Sequence, residues 1–205
     1  MMQQELKMSV KEQQTIDFYD SKAQAWGETH NDPAYFEPEF ELYQELLACG
    51  KILELGSGTG RDAVQFLKNE YEYVGIDVSQ GLLDFAQKQC PAGTFLKKSM
   101  YELDFAPASF DGFWCAATLL HIPKTEIDKV LQSIKKTIKP GGVGFISLKE
   151  GNDEFFEKHT GRTFFLYSQQ EFSDILTRNG FVVEHELKRS VAPNSWLMFF
   201  VRAKN

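Results

Sequence analysis

The sequence predicts a single α/β domain built on a mostly parallel, seven-stranded sheet with helices on both faces. From residue 51 onward, short apolar runs alternate with amphipathic helical patterns, which is the order of parallel strands joined by crossover helices. The chain has 205 residues, 42% of them apolar, which is enough for one sizeable core. We therefore expect one domain over 1–205, with an N-terminal helical cap at 1–49 and the core at 50–205.

Two helices are predicted before the first strand. Ser9 and Glu12 form a capping box, and apolar residues at helical spacing extend the first helix to about residue 28. The Asp32-Pro33 pair breaks this helix. Pro38 stands where the first turn of a second helix tolerates proline, and that helix leads to Gly50.

The core elements follow in alternating order. Strands are predicted at 51–55, 72–77, 94–97, 110–116 and 143–148, and the helices between them at about 61–69, 80–89 and 127–138. We expect Pro140-Gly141-Gly142 to end the last of these helices before its strand begins.

The last part of the chain predicts a helix followed by a hairpin. Ser168 and Glu171 form a second capping box, which opens the helix. The final apolar runs, 181–187 and 196–202, are close enough to pair as antiparallel strands through Pro193-Asn194. We therefore expect the last strand of the sheet to be reversed.

The composition argues against several classes of function. A net charge of -7 disfavours nucleic-acid binding, which usually needs a basic surface. The three cysteines have no paired or metal-like spacing and the four histidines are scattered, so no metal site is expected. No apolar stretch has the length of a membrane span or the form of a signal-peptide core. We expect a cytoplasmic protein that is a monomer or homodimer.

A glycine-rich turn after the first predicted strand indicates a ligand that contains adenosine. Gly56, Gly58 and Gly60 alternate directly after an apolar run, and glycines let a ligand pack against the backbone. Asp77 ends the next predicted strand, where its carboxylate would meet a ribose diol. A glycine turn and a lone acid also occur as a tight connection and a helix cap, so their order and spacing carry the interpretation.

The spacing of this turn favours a cationic ligand over a dinucleotide. The dinucleotide fingerprint G-x-G-x-x-G places its third glycine where Arg61 stands here. Glu54, two residues before Gly56, would repel a pyrophosphate. The same carboxylate suits a ligand that carries an ammonium group and a sulfonium.

In these residues the sequence resembles the class I S-adenosylmethionine-dependent methyltransferases, whose first motif is an acid followed by G-x-G-x-G. Gly75 to Ser79 looks like their second motif, Lys97 to Phe105 like their third, Ser109 to Ile122 like their fourth strand and its loop, and Ile138 to Val143 like their turn into strand five. The resemblance implies a Rossmann-like fold, S-adenosylmethionine as cofactor and S-adenosylhomocysteine as product. The cofactor contacts that it implies are Glu54, Gly56, Ser57, Gly58, Gly60, Arg61, Asp77, Val78, Ser99, Met100, Tyr101, Ala116 and His121.

The candidate catalytic residues are His121, Glu150 and Tyr19. The ordinary pKa of a histidine suits proton abstraction near neutrality, although in many relatives a histidine at the place of His121 only packs beneath the cofactor. Glu150 follows the fifth strand and is either a base or a solvated loop carboxylate. Tyr19 belongs to a segment that folds over the site in relatives, where it either contacts the ligand or packs.

The candidate substrate contacts are Tyr35, Arg162 and Tyr167. Arg162 suits a carboxylate or phosphate through bidentate pairing, or else forms a surface salt bridge. Tyr35 either covers the site or packs. Tyr167 lies before the last helix, where small-molecule methyltransferases often carry substrate contacts.

Together these features favour transfer of a methyl group to a small-molecule acceptor. A cofactor-binding relative without catalysis, such as a sensor, stays open because no catalytic base is obvious. The negative charge and the lack of an added recognition domain disfavour a protein or tRNA methyltransferase. Glu54 and the early third glycine disfavour a nucleotide-dependent oxidoreductase.

Overall fold

Helix α1, Val10–Thr29, is the first element of the computed structural model, which describes residues 9–205. The capping box predicted at its start is confirmed. The Ser9 hydroxyl accepts a hydrogen bond from the Glu12 backbone amide at 3.3 Å, and Glu12 Oε2 accepts from the Ser9 amide at 2.9 Å. The first eight residues of the predicted cap lie outside the described residues.

The other elements follow in nearly the predicted order. The helices are α2 Glu37–Leu46, α3 Ala63–Lys68, α4 Gln80–Gln89, α5 Ile127–Thr137 and α6 Gln169–Arg178, with short 3₁₀ turns at Pro33–Phe36 and Leu119–His121. The strands are β1 Lys51–Leu55, β2 Glu72–Asp77, β3 Thr94–Lys97, β4 Phe110–Ala116, β5 Ile138–Lys149, β6 Glu154–Glu157, β7 Arg162–Phe165, β8 Phe181–Val191 and β9 Asn194–Ala203. Within the described residues, none of the helices combines the length and apolar character that crossing a membrane requires.

Seven of the strands form one sheet in the order β3-β2-β1-β4-β5-β9-β8. Strands β1 to β5 pair in parallel, whereas β9 runs antiparallel to both β5 and β8. The predicted α/β class with a reversed last strand is confirmed. Strand order changes direction between β1 and β4, and the crevice at the carboxyl ends of such strands is the usual ligand position in open α/β sheets.

Two apolar layers hold helices on both faces of the sheet. On one face, α5 and α6 bury side chains such as Leu131 and Phe172. On the other face, α2 and α3 bury Tyr43 and Phe66 around Trp114. Full burial of each such side chain contributes roughly 1.5–3 kcal/mol, so the strands form a firm frame for the loops at their ends.

Helix α1 is fixed to α4 by two glycines and one carboxylate. A Cβ on Gly27 would lie 2.4 Å from the Phe85 ring, and one on Gly81 would lie 2.8 Å from the Asp20 carbonyl oxygen, so both glycines permit close packing. Asp20 Oδ1 also accepts hydrogen bonds from the Ser79 hydroxyl and the Gly81 amide, each at 2.8 Å. These contacts hold α1 beside the carboxyl end of β2.

Some elements differ from the sequence prediction. Strand β5 starts at Ile138 rather than at 143, because the Pro-Gly-Gly sequence forms an irregular stretch of strand, with Gly141 at φ +78°, instead of a helix end. Helix α2 ends at Leu46, short of Gly50. The antiparallel hairpin of β6 and β7, which pairs residues 154–157 with 162–165, was not predicted from the sequence.

Candidate functional site

A cavity of about 510 Å³ opens at the carboxyl ends of β1, β2, β4 and β5, next to α1 and the Pro33–Phe36 turn. Its volume lies within the range of small-molecule sites. Most of the site residues predicted from the sequence line it. They are Tyr19, Tyr35, Glu54, Gly56, Ser57, Gly58, Arg61, Asp77, Val78, Ser99, Met100, Tyr101, Ala116, His121 and Arg162.

The glycines of the turn after β1 have two different roles. The amides of Gly56 and Ser57 both donate to the Ile76 carbonyl oxygen, at 2.8 and 2.9 Å, which ties the ends of β1 and β2 together. Gly56 has φ +70°, and a Cβ there would overlap the Thr118 side chain at 2.3 Å. Gly58 has φ +52° and open space where its Cβ would be. Packing therefore requires glycine at 56, whereas Gly58 leaves the backbone open to a ligand.

Asp77 ends β2 next to this turn. Its Oδ2 accepts a hydrogen bond from the Gly58 amide and its Oδ1 from the Ser79 amide, both at 2.9 Å. Burial raises the pKa of the Asp77 carboxyl, and the backbone amides partly offset that effect. Backbone donors thus fix the carboxylate in the cavity wall, where its remaining lone pairs can accept from ligand hydroxyls.

Glu54 lies in the cavity wall near the end of β1 and is almost fully buried. It accepts a hydrogen bond from the Tyr73 hydroxyl. Burial raises the pKa of the Glu54 carboxyl well above its ordinary value, and the charge of the nearby Asp62 adds to this effect. A cation placed next to Glu54 would counteract both effects, because an opposite charge favours the ionised carboxylate.

Arg61 and Asp62 form a bidentate ion pair after the turn. Two guanidinium nitrogens donate to the two carboxylate oxygens at 2.7 and 2.8 Å, and Asp62 also accepts from the Trp114 indole at 2.9 Å. The Arg61 guanidinium lies 4.8 Å from the ring centroid of Phe36 and 5.2 Å from that of Tyr35. Arg61 therefore joins the cap to the core, and its charge is balanced within the protein.

The loop after β3 and the Ser57 hydroxyl complete this part of the cavity. Met100 and Tyr101 line the wall, and the Tyr101 hydroxyl donates to Glu12 Oε1 of α1 at 2.6 Å. The buried Ser57 hydroxyl has no hydrogen-bond partner among the described residues. A ligand with hydroxyl and amine groups would satisfy this hydroxyl and the neighbouring carboxylates. We call Glu54, Gly56, Ser57, Gly58 and Asp77 the glycine side of the cavity.

A chain of hydrogen bonds crosses the other side of the cavity. His121 Nδ1 lies 2.8 Å from the Thr163 carbonyl oxygen, which can only accept, so Nδ1 carries the proton. His121 Nε2 then accepts from the Tyr19 hydroxyl at 3.2 Å. That hydroxyl accepts in turn from Arg162 at 3.1 Å, and Arg162 donates to Glu157 at 2.6 Å. The chain links α1, the loop after β4 and the β6–β7 hairpin.

The pKa of His121 is lowered to about 4, chiefly by burial and also by the Arg162 charge, against the hydrogen bond to Thr163, which raises it. His121 is therefore neutral at neutral pH, and the Tyr19 hydroxyl occupies its free nitrogen. This differs from the expectation that His121 titrates near neutrality. Burial also raises the pKa of the Tyr19 hydroxyl.

Lys149, the last residue of β5, lines the same part of the cavity and was not among the predicted site residues. Its Nζ lies 4.0 Å from the ring centroid of Phe164 and 5.8 Å from that of Trp196. Burial and the nearby Arg162 lower the pKa of the Lys149 ammonium group. We call Tyr19, His121, Lys149, Arg162 and Phe164 the lysine side of the cavity.

Two aromatic residues of the cap both pack and line the cavity. Trp26 stacks on His30 with ring centroids 3.7 Å apart, and it meets Tyr19 edge-on at 5.2 Å. Tyr35 meets Phe36 edge-on at 4.9 Å. Because Trp26 and Tyr35 also line the cavity, packing and covering the site are not alternatives for them.

Gly60, Glu150 and Tyr167, which were also predicted as site residues, do not line the cavity. A Cβ on Gly60 would lie 3.0 Å from that of Ala86, so this glycine lets α4 pack closely. Glu150 pairs instead with Lys188, with Oε2 2.6 Å from Nζ. Tyr167 is fully buried in the apolar layer under α6.

The described residues offer few groups for other chemistry. Within 9–205, no set of three or more His, Cys, Asp or Glu side chains is placed to hold a metal ion. The cysteines are free, and Cys90 and Cys115 are buried. Burial raises the pKa of the Cys115 thiol, so it is not a reactive thiolate.

A protein family described as a methyltransferase domain matches residues 52–142 of this chain. The matched span contains the glycine turn, Asp77 and the loop that carries His121. It ends before Lys149 and the β6–β7 hairpin. The family match therefore covers the glycine side of the cavity and only part of the lysine side.

Two curated proteins illustrate how the sequence similarity is distributed. The biotin biosynthesis bifunctional protein BioHC of Cellvibrio japonicus is 31% identical over 105 residues, which are 47% of this chain and 19% of that protein. The O-methyltransferase rstn1 of Aspergillus nomiae is 34% identical over 98 residues, which are 44% of this chain and 43% of that protein. The chain thus spans less than half the length of either relative.

A solved structure extends the likeness of fold to nearly the whole chain. The 1,6-didemethyltoxoflavin-N1-methyltransferase of Burkholderia thailandensis superposes with a TM-score of 0.80 at 20% identity, over 98% of this chain and 93% of that one. That crystal structure contains 1,6-didemethyltoxoflavin and S-adenosylhomocysteine. At this identity the likeness concerns the fold, and it includes the cap and the β6–β7 hairpin region.

Proposed function

We propose that the chain transfers a methyl group from S-adenosylmethionine to a small-molecule acceptor, on the premise that residues 52–142 match a methyltransferase domain family. The observation that carries the proposal is the arrangement at the ends of β1 and β2. The open backbone at Gly58 and the Asp77 carboxylate lie side by side, 2.9 Å apart, in the wall of one cavity.

The residues of the glycine side fit the parts of S-adenosylmethionine. Asp77 would accept hydrogen bonds from the ribose hydroxyls, and Gly58 would let the ligand lie against the backbone. Glu54 would bind the ammonium group, whose charge favours the ionised form of this buried carboxyl. Met100 and Tyr101 would flank the adenine. When bound, the cofactor supplies a methyl group on a positively charged sulfur.

The lysine side would bind the acceptor. Methyl transfer needs mainly a nucleophile held in line and water kept out, so positioning matters more than proton transfer. His121 and Tyr19 are committed to each other and to Arg162 by hydrogen bonds, which suits groups that hold an acceptor in place. The rings of α1 that line the cavity would exclude water.

Several properties support a small-molecule acceptor over a macromolecule. The cavity lies beneath the cap, and its volume of about 510 Å³ is to be shared by cofactor and acceptor. The net charge of -7 opposes a nucleic-acid partner. We also propose a cytoplasmic location, because the chain has three cysteines and all of them are free. Either a monomer or a homodimer is compatible with this activity.

Calorimetry with S-adenosylmethionine and S-adenosylhomocysteine tests the proposal. Both ligands should bind the unaltered protein, and Asp77→Ala should weaken binding about 100-fold, because two hydrogen bonds to a charged group are lost. Asp84→Ala is the matched control, since Asp84 is an exposed acid on α4 whose side chain contacts Gln80. Failure of the unaltered protein to bind either ligand would refute the proposed function.

A cofactor-binding protein without transfer activity is the second candidate, favoured by one observation. His121 has a pKa of about 4 and its free nitrogen is occupied, so it is a weak base at neutral pH. A screen with methyl-labelled cofactor against cell metabolites separates the two functions. Transfer to any metabolite supports the enzyme, and cofactor binding without transfer to any extract fraction supports the second candidate.

A further inference from the structure

We propose that the acceptor is a flat aromatic molecule that carries an ionised oxygen, and that the Lys149 ammonium group binds this oxygen. The inference rests on the proposed function, because it names the class of acceptor for the same cavity. Three observations support it, concerning charge balance, the distribution of charge across the cavity and the rings around Lys149.

Lys149 is a half-buried cation that forms no ion pair within residues 9–205. Among the described residues, no carboxylate lies within salt-bridge distance of its Nζ, whereas the neighbouring Arg162 is paired with Glu157 at 2.6 Å. Burial and the Arg162 charge lower the pKa of the Lys149 ammonium group, and neither Glu157, beyond salt-bridge distance, nor the cation–π contact with Phe164 replaces a paired carboxylate. An anionic ligand would supply the missing partner.

Apart from the Arg61–Asp62 and Arg162–Glu157 ion pairs, the charged side chains at the strand ends of the cavity are separated along the sheet. The acids Glu54 and Asp77 lie at β1 and β2, and Lys149 lies at the end of β5, on the far side of β4. A cationic cofactor on the glycine side and an anionic acceptor on the lysine side would each meet the opposite charge. If the ionised oxygen is the atom that receives the methyl group, it has no proton to lose. The chain then needs no base, in agreement with the low pKa of His121.

Aromatic rings surround Lys149. Its Nζ lies 4.0 Å from the Phe164 centroid and 5.8 Å from that of Trp196, and both rings line the cavity. The Lys149 ammonium group lies over the face of the Phe164 ring, so a planar molecule would meet this ring at its edge, an arrangement that aromatic pairs favour. A flat acceptor could therefore lie against these rings with its ionised oxygen at the ammonium group.

Calorimetric titration with 2-naphthoate and 2-naphthamide tests the inference, since these flat molecules have nearly the same shape and differ in charge. Titrations are run with and without saturating S-adenosylhomocysteine. The unaltered protein should bind 2-naphthoate at least about 10-fold more tightly than 2-naphthamide, as expected for a hydrogen bond between charged groups. Lys149→Met should abolish this preference, and Lys149→Arg should retain most of it.

Lys158→Met is the matched control, because it removes the same charge from an exposed position in the β6–β7 turn. It should leave the preference unchanged, and thermal unfolding should show that all variants are folded. Equal binding of the two probes, no binding of either, or an unchanged preference in Lys149→Met would each overturn the inference. Lack of S-adenosylhomocysteine binding would instead contradict the proposed function, and the titrations without it would still decide the role of Lys149.

Discussion

The glycine side of the cavity is built mainly from backbone, whereas the lysine side is built from side chains. On the glycine side, strand ends β1 and β2 are tied by backbone hydrogen bonds from Gly56 and Ser57, and backbone amides hold Asp77. On the lysine side, the Tyr19 hydroxyl of α1 joins His121 to Arg162 and Arg162 pairs with Glu157 of the hairpin, while the Thr163 carbonyl oxygen is the backbone contact of His121.

This difference has a consequence for specificity. A site made from backbone changes little when surrounding side chains are replaced, which suits a ligand common to a whole family. A site made from side chains on a cap and a hairpin can be altered by single substitutions, which suits a ligand particular to one protein. The family match agrees with this division, since it ends at residue 142, before Lys149.

The largest effect is expected from filling the open space at Gly58. Gly58→Met should weaken binding of S-adenosylhomocysteine at least about 100-fold, because its side chain would occupy the ligand's place. The matched control is Gly141→Met, since Gly141 also has a positive φ, +78°, and an open Cβ position but does not line the cavity. Each variant should lose about 1–2 kcal/mol of folding stability through backbone strain. Equal affinity of the two variants, measured by calorimetry, would refute the role given to Gly58.

An intermediate effect is expected in the pH dependence of the unfolding free energy, and it comes from His121 on the lysine side. His121 has a pKa of about 4 in the folded protein, and a histidine in the unfolded chain titrates near its ordinary value. The unfolded chain therefore binds more protons as pH falls from about 6.5 to 4. The neutral, buried His121 therefore contributes to the free energy of unfolding. This contribution is fully present above that pH window, and about 2–3 kcal/mol of it is lost as the pH falls through the window.

Denaturant unfolding at a series of pH values, with His121→Gln as reference, measures this contribution. The difference in unfolding free energy between the two proteins should be constant above pH 7 and should shrink below it, by the amount given above. Parallel pH profiles for the two proteins would show that His121 is not buried in its neutral form.

The smallest effect is expected at Glu150, outside the cavity. Glu150→Gln weakens one exposed ion pair, with Lys188, so it should change the unfolding free energy by less than about 1 kcal/mol. Affinity for S-adenosylhomocysteine and for 2-naphthoate should stay unchanged in calorimetry. A loss of affinity for either ligand would show that Glu150 takes part in ligand binding.

The glycine side could be predicted from the sequence because its residues are close together in the chain or repeat a known spacing. Glu54 to Arg61 is one continuous turn, and the run that ends at Asp77 has the apolar pattern of a neighbouring strand. Spacing alone does not distinguish a glycine that contacts a ligand from one that lets a helix pack, as Gly60 does against α4.

The lysine side could be predicted only in part, because it joins segments far apart in the chain. The β6–β7 hairpin carries adjacent apolar residues, Phe155 and Phe156, which are both exposed and give no alternating pattern. At the end of β5, Glu150 was chosen because a carboxylate can act as a base, but neighbouring residues of a strand point to opposite faces and the choice did not take the face into account. Phe145 is buried in the apolar layer on the side of α2. Because alternate residues of a strand lie on the same face, Lys149 lies on the same face of β5 as Phe145.

A crystal structure of the protein with S-adenosylhomocysteine and 2-naphthoate tests the central claim most directly, namely that one cavity holds two ligands on chemically different sides. We expect the ribose hydroxyls at Asp77 and the naphthoate carboxylate within hydrogen-bond distance of Lys149 Nζ. Binding of S-adenosylhomocysteine away from Asp77, or of 2-naphthoate away from Lys149, would contradict it.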